Sequence, residues 1–298
     1  MENILDSEIY PLRKEKVLIY NHDIFELKED NVAVEEPLEI KLTDTQDFPI
    51  NLAVTMRTPG NDLELVAGFL FSEGIIKNVE DIEKFEYEKD VFNIENKNSV
   101  IIKIKANAEI NLDKIKRNVI TTSSCGICSS VYIDQIFKRI ERLPKGDFKV
   151  NKDLILELPN FLNTFQSIFS KTGGVHASAL FDKKGNLICI MEDVGRHNAM
   201  DKLVGKMLIE RKIPLDDCIV LFSGRASFEL VQKSILAGIP FIVAIGAPSS
   251  LAIELAKIFN VTLIGFLRNK KFNVYSGFHR LEEIDRIITQ NAKRKHSC

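Results

Sequence analysis

No apolar run in this 298-residue chain is long enough to cross a bilayer. Its start, Met1-Glu2-Asn3-Ile4-Leu5-Asp6, has neither the basic flank nor the apolar stretch of a secretory signal. An excess of one charge sign is missing too: 40 Lys and Arg stand against 42 Asp and Glu, a net charge of −2. No global basic field therefore draws nucleic acid or an anionic membrane. Internal repeats and low-complexity linkers are absent. So are the G-x-G-x-x-G and Walker patterns, which excludes a standard dinucleotide or ATP site. Cysteine is scarce, five residues in all. The expectation is a cytoplasmic protein whose thiols stay reduced, so these cysteines are not a disulfide framework. With 45% hydrophobic and 28% charged residues, the chain has an ordinary globular composition. Its length allows two domains.

The N-terminal part mixes short strands and helices. Residues 17–20, 38–42 and 50–56 read as strands. Pro59-Gly60-Asn61-Asp62 is a turn running into an N-cap, and 63–73 is a helix ended by Gly74. Leu65, Val66, Phe69 and Leu70 fall on its buried face. Residues 80–105 are charged, with a strand-like patch at 100–104. A further helix is expected over 131–142.

The second half has a cleaner rhythm. Residues 177–181 and 187–191 form a hairpin around Asp182-Lys183-Lys184-Gly185-Asn186. Met200, Leu203, Val204, Met207 and Leu208 make a helical stripe. Strands at 218–222, 241–245 and 261–267 then alternate with helices at 228–237 and 251–259. This alternation predicts an α/β domain with a largely parallel sheet covered by helices. The expected division is a smaller α+β part over 1–118 and an α/β domain over 119–298.

Two strand-to-helix junctions carry small polar residues. Ser223-Gly224-Arg225-Ala226-Ser227 follows one strand, and Gly246-Ala247-Pro248-Ser249-Ser250 follows the next. Small residues admit a ligand to the backbone, and a helix N-terminus offers free N–H groups to an anion. Arg225 adds a planar fork of donors suited to phosphate. Ligands on open α/β sheets bind beyond the carboxyl ends of the strands. A nucleotide or another phosphorylated group is thus a fitting guest, although serine before a helix is also routine cap chemistry. A third cluster flanks the hairpin. Thr172-Gly173-Gly174-Val175-His176-Ala177-Ser178 enters it and Glu192-Asp193-Val194-Gly195-Arg196-His197-Asn198 leaves it. Two histidines in glycine-bearing junctions of one hairpin suit one pocket better than two separate structural roles.

The sharpest motif is Ser123-Ser124-Cys125-Gly126-Ile127-Cys128-Ser129-Ser130. Cys189 and Cys218 lie inside apolar strands, and Cys298 ends the chain. A structural zinc site wants four ligands, usually a second Cys-x-x-Cys or a His pair at close spacing, and neither occurs, although His176 and His197 could complete a site if the fold brought them to the cysteines. A zinc deaminase would read H-x-E and later P-C-x-x-C, whereas His176-Ala177-Ser178 lacks the glutamate and follows the cysteines. A thioredoxin-like pair should follow a strand, and 114–120 is only weakly strand-like. Sulfur carriage remains: thiolate attack on a donor persulfide moves sulfur onto one thiol, and the second resolves or relays it.

Several stretches together resemble one family. They are Glu35-Glu36-Pro37-Leu38-Glu39-Ile40, Val54-Thr55-Met56-Arg57-Thr58-Pro59-Gly60 and Ala67-Gly68-Phe69-Leu70-Phe71-Ser72-Glu73-Gly74. The cysteine motif, Gly173-Gly174-Val175-His176-Ala177 and Glu192-Asp193-Val194-Gly195-Arg196-His197-Asn198-Ala199 continue the series. It closes with Ser223-Gly224-Arg225-Ala226-Ser227-Phe228-Glu229, Ala247-Pro248-Ser249-Ser250 and Gly265-Phe266-Leu267-Arg268. In this order they resemble the FdhD family of formate dehydrogenase accessory sulfurtransferases.

The resemblance implies a cytoplasmic homodimer with a cytidine deaminase-like α/β domain. It implies a carrier that takes persulfide sulfur from a cysteine desulfurase. The sulfur goes to the molybdenum or tungsten bis-pterin guanine dinucleotide cofactor of formate dehydrogenase, Mo-bis(molybdopterin guanine dinucleotide) in the first case. It places the persulfide on Cys125 with Cys128 as companion. It places cofactor binding on Phe266, Leu267, Arg268, Asn269, Lys270 and Lys271. Ser223, Gly224, Arg225, Ser249, His176 and His197 are the further cofactor-binding candidates from the junctions. Two departures stand out: Ser129-Ser130 replace the family's usual glycine and frequent lysine, and Gly246 stands where serine is commoner. Two other readings stay open, a cofactor-holding chaperone without chemistry and a dithiol oxidoreductase.

Overall fold

The computed structural model describes residues 11–43, 49–105 and 143–284. Cys125, Cys128, Cys298, the expected boundary at 118/119 and the expected helix over 131–142 lie outside the described residues. The chain divides into two compact units. Among the described residues, the first takes those up to 105 together with Ser167–His176 and Glu192–Ile209. The second takes 143–166, Ala177–Met191 and 210–284.

In the first unit, strands β1 (Leu12–Asn21) and β2 (Ile24–Ala33) form an antiparallel ribbon. Its two-residue turn, His22-Asp23, has φ of 46° and 65°. Successive left-handed residues give the loop the twist that a tight hairpin needs. A four-stranded sheet in the order β4-β3-β6-β5 comes next, from β3 (Glu36–Thr43), β4 (Ile50–Arg57), β5 (Ile82–Lys89) and β6 (Glu95–Ile104). The central pair β3–β6 is parallel and the outer pairs are antiparallel. Leu38, Ile40 and Leu42 alternate into the core, as do Val100, Ile102 and Ile104. That period of two is what a half-buried strand requires.

Helix α1 (Asp62–Ser72) buries Leu65, Val66 and Leu70, as its pattern predicts, while Phe69 is only half-buried. The chain enters α1 through Asn61 in the left-handed conformation, φ 56°, and Asn61 makes no side-chain cap bond. The expected N-cap is therefore a turn only, and Asp62 turns instead to Arg57. At the far end Gly74 takes φ 70°, a conformation in which a side chain would be strained.

The chain defines α2 (Lys152–Phe165) in the second unit, and α3 (Phe169–Thr172) and α4 (Arg196–Ile209) in the first. Helices α1 and α4 meet backbone to backbone. A Cβ on Gly68 would lie 1.9 Å from the Asp201 carbonyl oxygen, and one on Gly205 would lie 1.8 Å from that of Glu64. Only glycine fits at either crossing point.

The second unit is built on a six-stranded sheet in the order β12-β11-β10-β9-β7-β8. Its strands are β7 (His176–Asp182), β8 (Leu187–Asp193), β9 (Cys218–Phe222), β10 (Phe241–Ala244), β11 (Thr262–Arg268) and β12 (Lys271–Ser276). Helices α5 (Phe228–Leu236) and α6 (Ser250–Ile258) link the middle strands. Strands β9, β10 and β11 are parallel, whereas β7 and β12 run antiparallel to their neighbours. The expected parallel sheet is thus the central three strands of a mixed α/β sheet. Every residue of β9 and β10 is buried, the mark of strands covered on both faces.

The second unit's core joins Phe181, Leu221, Phe241, Val243 and Ile264 to Ile155, Leu158 and Leu162 of α2. Asn151 caps α2, its side-chain oxygen accepting from the Leu154 N–H at 2.8 Å.

Candidate functional site

Three parallel strands that end together put three junctions on one edge of the second unit. Backbone hydrogen bonds stitch these junctions into a cradle. The Gly246 N–H donates to the Gly224 carbonyl at 2.9 Å, and the Phe266 N–H donates to the Gly246 carbonyl at 2.9 Å. The Ala226 N–H reaches the Ala247 carbonyl at 3.2 Å, and the Ser249 N–H reaches the Ala226 carbonyl at 3.0 Å. Close approach requires small residues. A Cβ on Gly246 would sit 3.0 Å from the Gly224 oxygen, and one on Gly265 would sit 2.7 Å from Pro248 Cδ.

Each predicted residue of this edge has a definite place. The Ser223 hydroxyl accepts from the Ala177 N–H at 2.8 Å, and the Ser249 hydroxyl accepts from the Ala252 N–H at 3.2 Å as the cap of α6. Both serines hold the frame, and each keeps its own O–H to donate. Gly224 is half-buried, and Arg225 is exposed beside it.

The stretch 266–271 divides into three. Phe266 takes φ 57°, a left-handed conformation that costs a bulky residue roughly 1–3 kcal/mol and gathers at ligand clamps. The Arg268 guanidinium lies 5.7 Å from its ring centroid. Leu267 is 2% exposed and packs into the core, so its side chain serves the fold. Asn269 and Lys270, at φ 53° and 56°, form the two-residue turn from β11 to β12, with Arg268 and Lys271 paired across it. Three basic side chains, Arg268, Lys270 and Lys271, are exposed there. Sequence reasoning took this stretch as one ligand-binding run and missed that it is a hairpin. The signal was Asn269-Lys270 between two β-patterned segments.

The first unit holds His176 and His197. His176 is half-buried, and its pKa is depressed first by burial, then by Arg196 and then by His197. His197 and Arg196 open α4. A buried polar knot supports this turn. Asp193 Oδ2 accepts from Lys202 Nζ at 2.8 Å and from the Thr58 N–H at 3.1 Å. Asp193 Oδ1 accepts from the Gly195 N–H at 2.8 Å and from Asn198 Nδ2 at 3.2 Å. With four donors on two oxygens, the acceptor positions of the Asp193 carboxylate are saturated. Asn198 Nδ2 also donates to the Met56 carbonyl at 2.7 Å, and the Val194 N–H donates to the Thr58 hydroxyl at 3.1 Å. Two sequence motifs 135 residues apart, around Thr58 and Asp193, are thereby one structure. Glu192 is likewise occupied, accepting from the Ile168 and Phe169 N–H groups at 3.0 and 2.9 Å.

Cys189 and Cys218 are buried. Burial pushes the Cys218 thiol up to about 11, too high for a thiolate nucleophile near neutral pH. No helix among the described residues is long and apolar enough to cross a membrane.

The geometry defines an α/β protein with a glycine-lined cradle at the strand ends and a separate cation-bearing turn. Comparison with known proteins gives the family. The FdhD/NarQ family model matches residues 33–282, and the chain belongs to that family. A protein of Streptomyces coelicolor named sulfur carrier protein FdhD is 42% identical over 273 residues, 90% of this chain and 95% of that protein. Its namesake in Saccharolobus solfataricus is 45% identical, covering 85% of this chain and 91% of its own. The crystal structure of a putative formate dehydrogenase accessory protein from Desulfotalea psychrophila superposes with a TM-score of 0.68 at 26% identity. That match covers 91% of this chain and 100% of the other.

Proposed function

We propose that this protein is a cytoplasmic sulfur carrier serving formate dehydrogenase. Membership of a family whose relatives are named sulfur carriers is the observation that carries the reading. The sequence supplies the thiols, Cys125 and Cys128, and the inert Cys218 removes one rival.

The Cys125 thiolate attacks the outer sulfur of a persulfide held by a cysteine desulfurase. The donor's S–S bond breaks, the desulfurase cysteine leaves as thiolate, and Cys125 carries the persulfide. The Cys128 thiolate then attacks the inner sulfur. A Cys125–Cys128 disulfide forms and the terminal sulfur leaves as hydrosulfide for the client. Cellular thiols reopen the disulfide.

The client is the molybdenum or tungsten bis-pterin guanine dinucleotide cofactor. On the second unit, Ser223, Gly224, Arg225, Ser249, Phe266 and the exposed Arg268, Asn269, Lys270 and Lys271 are its proposed holding surface. Glycines that admit a ligand to the backbone, and an arginine fork beside them, suit the phosphates of a nucleotide. On the first unit, His176 and His197 are proposed cofactor contacts. A homodimer completes the reading.

The test is intact-protein mass without reductant after incubation with an active cysteine desulfurase and cysteine. A gain of one sulfur, reversed by dithiothreitol and lost in Cys125→Ala, is expected. No gain, with guanosine diphosphate binding that Arg225→Ala weakens, would replace the carrier by a cofactor-holding chaperone.

A further inference from the structure

We infer that the ribbon of β1 and β2 is a docking arm whose apolar face stacks on the same face of a second copy of this chain. The inference rests on the proposed homodimer and deepens it by assigning the surface.

In an antiparallel ribbon directly opposed residues share a face, and the two faces alternate along each strand. The register pairs Lys16 with Glu29, Leu18 with Leu27 and Tyr20 with Phe25, so these six side chains lie on one face. The Tyr20 and Phe25 ring centroids are 5.1 Å apart. Leu18, Tyr20, Phe25 and Leu27 are each between 60% and 72% exposed. Four large apolar side chains in register make a contiguous exposed patch, the mark of an interaction surface. The ribbon also needs a cover. Its strands pair with each other and with no third strand among the described residues. A two-stranded ribbon is marginally stable at best in water until something packs on its face. Helix α3 packs against β2, where Val32 and Ala33 are half-buried, but β2 is exposed from Ile24 to Asn31.

Charge selects the occupant. Strand β1 carries Arg13, Lys14 and Lys16 against one acid, Glu15, while β2 carries Glu26, Glu29 and Asp30 against one base, Lys28. A basic strand beside an acidic one is complementary to its own copy turned over. A two-fold axis running along the ribbon, between two stacked faces, sets β1 of each copy over β2 of the other. Leu18 then meets Leu27 of the second copy, Tyr20 meets its Phe25, and Lys16 meets its Glu29, each contact occurring twice. Within one ribbon Glu29 pairs with Lys14 at 3.0 Å, so the second copy's Lys16 brings a further cation to an acid already in place. A bilayer is a poorer occupant. Anionic membranes select polybasic segments, whereas here the acids of β2, and Asp23 in the turn, offset the bases of β1.

The test is sedimentation equilibrium of the full-length protein over a concentration series, with far-UV circular dichroism to check folding. The wild type should be a dimer. Leu18→Asp combined with Leu27→Asp should be monomeric at concentrations where the wild type is dimeric. Lys16→Glu and Glu29→Lys each set like charges face to face at both contacts, and each should raise the dimer dissociation constant roughly tenfold or more. Mixing these two variants should restore the dimer, because opposite charges face each other again between unlike chains. Each chain keeps its own altered ribbon in the mixture, so recovery reports contact between copies and not repair of folding. A monomeric wild type, a dimer indifferent to all these variants, or charge variants that dimerise no better when mixed would overturn the surface. Ribbon variants that stay dimeric but no longer take sulfur from a cysteine desulfurase would assign the ribbon to that protein instead. Sulfur loading of Cys125, read by intact mass on the same samples, separates the two readings. A monomeric wild type that loads sulfur removes the arm and leaves the carrier, whereas a ribbon-dependent dimer that never loads sulfur leaves the arm and removes the carrier.

Discussion

Lys202 Nζ lies 2.8 Å from Asp193 Oδ2 in an ion pair whose side chains are 2% and 0% exposed. The ammonium also donates to the Thr58 carbonyl at 2.8 Å, so its charge is both paired and hydrogen-bonded. A buried pair is weak evidence for net stabilisation, yet removing one partner strands a charge in the interior. Lys202→Met should therefore cost about 3–5 kcal/mol in urea unfolding, and Asp193→Asn a similar amount. The double variant should lose clearly less than the sum of the singles, because neither charge is then left behind. Strictly additive losses would show that the pair is not coupled.

Gly68 and Gly205 make a second, purely steric demand. Alanine is the better helix former by up to about 1 kcal/mol, so an isolated helix would gain from either Gly→Ala change. In this fold the new methyl would lie 1.9 or 1.8 Å from a carbonyl oxygen of the facing helix, and backbone cannot rotate away as a side chain can. The helices must separate, which costs roughly 1–3 kcal/mol or more as overpacking. Gly68→Ala and Gly205→Ala should each lower the unfolding midpoint. A rise in midpoint for either would mean that the helices do not cross at these residues.

The second unit was largely legible because apolar runs bounded by Gly, Ser and Pro mark its strands. The expected strand over 218–222 is β9, and those over 241–245 and 261–267 are β10 and β11 to within a residue. Local pattern says less where a strand is exposed. β2 is exposed along most of its length, so it has no buried face for a pattern to mark, and β12 begins at the end of the stretch read for ligand binding and continues through residues given no element. Strand direction was legible in the middle of the sheet, because α5 and α6 force parallel crossovers there, and in the hairpin of β7 and β8; that β7 runs antiparallel beside β9 was not. Of the site, the junctions at Ser223 and Ser249 could be read from small residues after apolar runs. The saturation of Asp193 could not, since its partners include Thr58, 135 positions away. Nor could the core position of Leu267, which depends on the irregular register between Gly265 and Arg268.

Acid should find the histidine turn before most of the molecule. The pKa of His176 in the folded state is held below its ordinary value, first by burial and then by the positive charge of Arg196 and His197. The unfolded chain, with an imidazole near the usual value of about 6.5, therefore binds a proton more readily than the folded one below that pH. The contribution of neutral His176 to stability is thus fully present above about pH 6.5 and is lost as pH falls through the depressed folded value. The melting midpoint should drop between pH 7 and pH 5, and His176→Gln, which cannot titrate, should show a shallower drop over the same window. His279, also depressed by burial and lying on the second unit, provides the control. His279→Gln should flatten the profile by its own share and leave the His176 share in place, so the double variant should be the flattest of all. If His176→Gln follows the wild-type profile throughout, the imidazole is already solvated in the folded protein, and neither its burial nor its cationic neighbours govern its proton.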